Sequence, residues 1–353
     1  MRTVRMAFIG VGGIAQVHLR ALKERDAEGI EVVAVCDLVY ERAQQTALKW
    51  GIPHAYQDYT EMLAKEDVEC VTVCTYNQGH RAPTVAALRA GKHVLVEKPM
   101  AATLEDAAAM TQAAHETGKT LMIALKSRYS PHMQAAKAIM SSGALGDIYY
   151  CETVAARRNG IPGGSFIRKD TAGIGAVADI GVYSLDAALN LMGHPKPVAV
   201  SGVSNNLLGT QYCKPVMGSW QWKPEDLEVE DFGIASVRFE NGALMIFKTS
   251  WIMHMDDLGG TFFLGTKAGL RLHPLTVYRD EWGLMTNTVP QGIPQVDDVE
   301  LFRREQVAFA NAIREGLPSP IPPEQMLLTN VIIQGLIDSS QAGHEIAVTV
   351  PNV

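Results

Sequence analysis

A lysine held between a carboxylate and a proline, Glu97-Lys98-Pro99, follows the short apolar run His93-Val94-Leu95-Val96. The run is rich in β-branched residues and Gly91 precedes it, which predicts a buried parallel strand. Pro99 fixes its own φ and keeps Lys98 out of helical angles. The ammonium is therefore expected just past the carboxyl end of the strand, where open α/β sheets bind ligands. A second cluster lies in residues 171–186, which read Thr-Ala-Gly-Ile-Gly-Ala-Val-Ala-Asp-Ile-Gly-Val-Tyr-Ser-Leu-Asp. Gly173 and Gly175 suit a loop that approaches a ligand closely, and the pattern then turns helical to about residue 192. Asp179 and Tyr183 are four apart, so one helix puts them on one face, with Asp186 three further on. An acid beside a phenol next to a Gly-rich turn suits sugar hydroxyls and proton transfer. Read for structure alone, Asp179 favours a helix N-terminus and Tyr183 is core.

The elements that must position Lys98 come first in the chain. Residues 4–10 read as a strand, and Val11-Gly12-Gly13-Ile14-Ala15 then opens a helix to about residue 25. The resulting G-x-G-x-x-A fingerprint gives each small residue a task. Gly10 allows the tight turn, Gly12 lets the backbone approach a pyrophosphate, and Ala15 permits close packing of helix on strand. Amides at the helix start, those of Gly13 and Ile14 among them, then face the phosphates. A second strand, 31–36, ends in Asp37, placed to accept hydrogen bonds from ribose hydroxyls and to repel a 2′-phosphate. That favours NAD over NADP. Arg42 is the nearby cation suited to a 2′-phosphate, with Glu41 beside it, and otherwise reads as a solvated helix charge.

The βα rhythm continues with helices at 39–50, 59–64, 81–90 and 103–117 and strands at 54–56, 70–75, 93–96 and 120–125. Thr103 is the expected N-cap of the fourth of these helices, with Asp106 at N3. Loops at carboxyl strand ends share one side of the sheet, which puts Thr75, Asn77 and His80 beside the cofactor near Lys98. Tyr76 and Gln78 read as plain loop residues. The first domain spans residues 1–125.

Beyond it the grammar changes. A helix at 133–141 is followed by strand-like runs at 148–158, 198–204, 232–240, 243–252 and 261–272, with Asn241-Gly242 as a hairpin signal. Helices at 301–315 and 325–342 and a strand at 345–350 complete residues 126–353. Strands without intervening helices imply an α+β domain with a mostly antiparallel sheet. One face of such a sheet stays open, and an apolar open face meets another subunit.

With 353 residues, 47% hydrophobic and 20% charged, the chain reads as a folded globular enzyme with room for two cores. A net charge of −7 and no basic cluster argue against nucleic acid and anionic membrane as partners. The five cysteines, Cys36, Cys70, Cys74, Cys151 and Cys213, read as reduced residues of a cytoplasmic protein. None has metal-site spacing, so no metal is expected. Arg2 and Arg5 ahead of residues 6–15 do not make a secretory leader, because glycines interrupt the run and no cleavage pattern closes it. No segment is long and apolar enough to span a bilayer.

Three motifs, the G-x-G-x-x-A with Asp37, Glu97-Lys98-Pro99, and Asp179-x-Gly-x-Tyr183-x-x-Asp186, together resemble the Gfo/Idh/MocA oxidoreductase family. They occur in the expected order, and the resemblance covers nearly the whole chain. The resemblance implies an α/β Rossmann domain joined to an α+β domain with an open-faced sheet, assembled as a homodimer or homotetramer through that face. It implies NAD(P)-dependent oxidation or reduction of sugars, polyols or their derivatives. It places the family's catalytic lysine on Lys98, with Glu97 beside the cofactor, its sugar-binding aspartate on Asp179 and its usual catalytic histidine on Tyr183. Residues 157–162 resemble a strand-end loop of some members, from which Arg157 or Arg158 reaches substrate.

The sequence departs from the family pattern in two places. Tyr76 stands where Pro is common, adding an aromatic wall over the cofactor. Tyr183 stands for His, and a free phenol titrates at about 10 against about 6.5 for imidazole, so the phenolate needs help that Lys98 is suited to give. The expected mechanism has Tyr183 as general base, Lys98 stabilising the alkoxide and Asp179 orienting the sugar. Lys126, Arg128, Tyr129, Arg157 and Trp251 are further candidates for the substrate wall. Two other readings stay open: a lyase-like enzyme that oxidises a sugar transiently and recycles its NAD, and a non-catalytic dinucleotide-binding regulator.

Overall fold

The computed structural model describes residues 2–25, 27, 29–211 and 221–353, and the chain divides into two compact units. The first is built on six strands, β1 Val4–Ile9, β2 Ile30–Cys36, β3 His54–Tyr56, β4 Cys70–Val73, β5 His93–Glu97 and β6 Leu121–Ala124. They pair in parallel in the order β3-β2-β1-β4-β5-β6. Helices α1 Gly13–Glu24, α2 Tyr40–Trp50, α3 Tyr59–Lys65, α4 Arg81–Arg89 and α5 Leu104–Thr117 form the crossovers. All four residues of β4 and four of five in β5 are buried, which explains their unbroken apolar reading. Thr103 caps α5 by accepting from Asp106 N. The order reverses between β1 and β4, and the loops after these strands flank the switch point of a Rossmann sheet.

The second unit begins at α6, Pro131–Ser141, which starts two residues before the expected helix because Ser130 accepts from Met133 N and Pro131 is suited to the first turn. There follow β7 Ile148–Ala156, α7 Ala176–Asp179, α8 Gly181–Met192, β8 Pro197–Asn205, β9 Phe232–Phe239, β10 Leu244–Ser250, β11 Phe262–Gly265, β12 Gly269–Arg271, β13 Thr276–Glu281 and β14 Leu284–Thr288. Helices α9 Asp298–Glu315 and α10 Pro323–Ala342 and strand β15 Ile346–Ala347 complete the elements. The sheet runs β14-β13-β12-β11-β7-β10-β9-β8-β15, antiparallel except where β7 meets β10. Alternate residues of β10, Met245 and Phe247, are buried with Val237 and Phe263 against Leu185 and Leu189 of α8 and Ile332 and Leu336 of α10. The opposite face carries the half-exposed Ile234, Ile246 and the Lys248–Glu152 ion pair.

Two expectations change, and one hairpin appears that no strand-like run announced. The run 261–272 is not one strand: residues 266–268 turn it back as the β11–β12 hairpin. The β13–β14 hairpin turns at Trp282 and Gly283, both with positive φ, and Trp-Gly is not among the common hairpin dipeptides. The expected boundary at residue 125 also misassigns α9. Residues 296–326 belong to the first unit, because the apolar face of α9 packs on α1 and Gln306 bonds to His18. Periodicity predicts the helix but not the sheet it covers. Cys36, Cys70, Cys74 and Cys151 are buried free thiols, while Cys213 lies outside the described residues.

Candidate active site

In the first unit the loop after β1 is shaped by Gly10, whose φ is +83° and on which a Cβ would sit 2.8 Å from Cys74 O. Only glycine fits there. A Cβ on Gly12 or Gly13 would meet nothing within 4 Å, and the N-cap Gly12 gives α1 no side-chain cap. The first amides of α1, including that of Ile14, thus face open space at the positive end of a 12-residue helix. This cradle fits the pyrophosphate of a dinucleotide. Asp37, at the end of β2, accepts from Val11 N at 3.0 Å and Val39 N at 2.9 Å, so it also pins the loop. Arg42 Nη1 lies 3.2 and 3.3 Å from its two oxygens. The cation that a 2′-phosphate would need is already engaged. Leu38, beside Asp37, is 74% exposed, an apolar surface that motif reading passed over.

At the end of β5, Lys98 is half-buried and its N–H donates to Glu97 Oε2 at 3.1 Å. Glu97 Oε1 pairs with His18 Nε2 at 2.7 Å, and Gln306 Nε2 lies 2.8 Å from His18 Nδ1. Burial alone would raise the Glu97 carboxyl, but His18 and Lys98 prevail and hold it below its usual range. Glu97 thus meets protein on both oxygens and sits under Lys98. Glu305 of α9, 0% exposed, behaves oppositely: burial and the charge of Glu97 push it well above the ordinary value, against the Leu125 amide and Lys126.

His80 departs from its expected place as a cofactor contact. Its Nδ1 lies 2.9 Å from Pro99 O and its Nε2 3.1 Å from Thr75 O, and burial holds it below the usual histidine range. The ring sits between the β4 loop and the Lys98-Pro99 segment, and as a neutral imidazole it donates to one of these carbonyls. Thr75 Oγ1 is buried with no hydrogen-bond partner among the described residues, while Asn77 and the exposed Tyr76 sit on the turn that follows. Lys126 is drawn to Asp298 and lies over the Phe302 ring, and Arg128 donates to Gln325. The Tyr129 hydroxyl is buried without a partner among the described residues.

In the second unit α7 ends at Asp179 and α8 starts at Gly181, so Asp179 and Tyr183 do not share one unbroken helix. A Cβ on Gly181 would lie 2.7 Å from Phe247 Cζ, and the break lets the chain pass this ring. Asp179 is buried and its Oδ2 accepts from Trp251 Nε1 at 2.9 Å; Tyr183 is half-exposed on the first turn of α8, and Asp186 is buried. Trp251 is 0% exposed, so it supports Asp179 from behind instead of lining a substrate wall. Arg157 folds back to Gly160 O at 3.1 Å, and Arg158 pairs with Asp256 at the surface.

Sequence reading missed His18, Glu305 and Gln306 under Lys98, and Glu230 beside α7. His18 sits on an apolar helix face and gave no signal. Glu305 and Gln306 fall between Phe302 and Phe309 on the buried side of α9, and two polar residues at core positions were the available clue. Among the described residues no three His, Cys, Asp or Glu side chains are grouped to hold a metal ion, and no helix is long and apolar enough to cross a membrane.

Residues 4–125 match the family described as "Oxidoreductase family, NAD-binding Rossmann fold", and residues 133–271 match "GFO/IDH/MocA C-terminal domain". The chain is 33% identical over 345 residues to a D-glucoside 3-dehydrogenase of Escherichia coli K12, covering 96% of each. Among solved structures it resembles an aldose-aldose oxidoreductase from Caulobacter crescentus complexed with glycerol, with 26% identity, a TM-score of 0.79 and coverage of 98% and 100%. It also resembles a levoglucosan dehydrogenase in complex with NADH and levoglucosan, at 21% identity, a TM-score of 0.85 and coverage of 99% and 100%.

Proposed function

This chain belongs to the GFO/IDH/MocA family of NAD-binding oxidoreductases, and from that premise we propose that it exchanges a hydride between NAD and a secondary alcohol of a sugar or polyol, with D-glucosides as the first class to test. The observation that carries the reading is the construction at the end of β5: a half-buried Lys98 whose own amide is held by Glu97, itself fixed by a fully buried His18. Such backing preorganises an ammonium to meet developing negative charge.

Bound NAD supplies the hydride acceptor at its nicotinamide C4. Gly10, Gly12, Gly13 and Ile14 receive the pyrophosphate, Asp37 the ribose hydroxyls, and the apolar Leu38 suits the adenine face. Thr75 Oγ1 is an unspent group for the nicotinamide side, and Asn77 is assigned beside it. The engaged Arg42 and the charge on Asp37 support NAD over NADP. Tyr183 takes the hydroxyl proton as general base, Lys98 steadies the alkoxide, and Asp179 orients the sugar. Arg128, Tyr129 and Arg157 contact the remaining hydroxyls. The half-open sheet face is assigned to contact between copies of the chain.

Lys98→Met and Tyr183→Phe test the reading, with turnover followed as NADH absorbance across a panel of glucosides, free sugars and polyols. Losses of at least about a hundredfold in each fit acid–base work. Undiminished turnover in both removes these roles, and aglycone release without net NADH points to the recycling enzyme instead.

A further inference from the structure

The turn that carries Asp179 is held by one residue of a distant segment. Glu230 Oε1 accepts from Gly175 N at 2.8 Å and Val177 N at 3.1 Å, and Glu230 O accepts from Ala176 N at 3.0 Å. Three consecutive amides at the start of α7, which has no side-chain cap of its own, converge on this residue. The approach is so close that a Cβ on Gly175 would lie 2.1 Å from Glu230 O. The next residue holds the other end of the turn. Asp231 O accepts from Trp251 N at 2.8 Å, and the Trp251 indole donates to Asp179 at 2.9 Å. Asp231 is itself anchored by Gly209 N on Oδ2 and through its own amide to Asn205 O.

We propose that Glu230 is a positioning residue, which by capping α7 in trans fixes Asp179 for the sugar and so governs sugar affinity ahead of the chemical step. This rests on the reading of Asp179 as a sugar-binding residue. The same geometry makes the site responsive to pH. Burial pushes the Glu230 carboxyl up to about 7, with the Gly175 and Val177 amides pulling down and Asp231 pushing further up. The charged group that faces it is Asp231, on its own segment. As a carboxylate Glu230 accepts charge-assisted hydrogen bonds, and as an acid it accepts weaker ones. KM for the sugar should therefore rise as pH falls through about 7.

The test compares the full-length wild type with Glu230→Gln and Glu230→Ala. It reads KM and kcat for the best sugar of the panel across neutral pH, NADH binding by fluorescence, and amide exchange at residues 175–179. Glu230→Ala is expected to raise KM about tenfold or more, the scale of a lost charge-assisted hydrogen bond, with a smaller change in kcat. NADH binding should stay unchanged, and exchange at 175–179 should quicken. Glu230→Gln should rescue most of the KM and lose the rise at low pH. Unchanged KM and unchanged exchange in Glu230→Ala overturn the proposal. Should Glu230→Ala fail to fold, a Glu230→Gln variant that keeps the wild-type pH dependence of KM overturns it as well. A wild type inactive on every sugar would sink the assignment of Asp179, while the exchange measurement would still decide whether Glu230 holds the turn.

Discussion

Each unit of this chain buries a pair of acids next to a residue assigned to the reaction, and the two pairs are handled differently. Beneath Lys98, Glu97 and Glu305 are split: His18 and Lys98 hold Glu97 below the usual carboxylate range, and burial and Glu97 push Glu305 well above it. Beside Asp179, burial brings Glu230 and Asp231 up to about 7 and about 6, and backbone amides are what pull them back. At Glu97 partner side chains outweigh burial, whereas at Glu230 and Asp231 burial outweighs the backbone amides. The lysine site is thus built to keep its charge across the physiological range, and the aspartate turn is built to feel pH.

The largest effect should come from removing the imidazole under Glu97. His18→Leu leaves the Glu97 charge buried without its main partner and strips Gln306 of its ring nitrogen, so urea unfolding should show a loss of about 3–5 kcal/mol. A loss below about 1 kcal/mol, the size of an exposed ion pair, would mean that amides alone can hold Glu97 and would erase the contrast. Glu305→Gln should act next in size and with the opposite sign. A carboxyl raised on folding contributes stability that is complete below its unfolded value and is lost as pH rises toward its folded value. The variant, neutral throughout, should therefore gain on the wild type as pH rises from acid to neutral. Parallel pH–stability curves would show that Glu305 is ionised in the fold.

How legible the chain was in advance follows the same line. Motifs that act through backbone shape were readable: Gly10 at φ +83°, the open Gly12 and Gly13, and the strand running into Lys98 all follow from residue type and local order. Five of the six parallel strands were readable because they are largely buried and carry apolar runs, and the edge strand β3, with no buried residue, was readable only from its place in the βα rhythm. Groups that act by reaching across the fold were not. His18 meets Glu97 from 79 residues away, Gln306 meets His18 from 288, and Glu230 caps Gly175 from 55. No periodicity encodes such distances. Trp251 was chosen for the right neighbourhood and given the wrong side, since a large aromatic reads alike whether it faces a ligand or backs the residue that does.

Trp251→Phe gives the mildest break and the finest test of the contrast. The ring it leaves still fills most of a site that is 0% exposed, so the principal change is one indole N–H withdrawn from Asp179 Oδ2. If the second unit depends on many neutral donors, each is replaceable in part, and stability should fall by only about 1–2 kcal/mol, the worth of one hydrogen bond to a charged group. KM for the sugar should rise while NADH binding holds, because the donor lies in the unit that carries Asp179 and the dinucleotide cradle lies in the other. A fall as large as that of His18→Leu would mean that the indole acts toward Asp179 as His18 acts toward Glu97, and the two units would then share one way of holding an acid. A fall in stability with no change in KM would separate the Trp251 bond from sugar binding and leave Glu230 alone as the residue that aims Asp179.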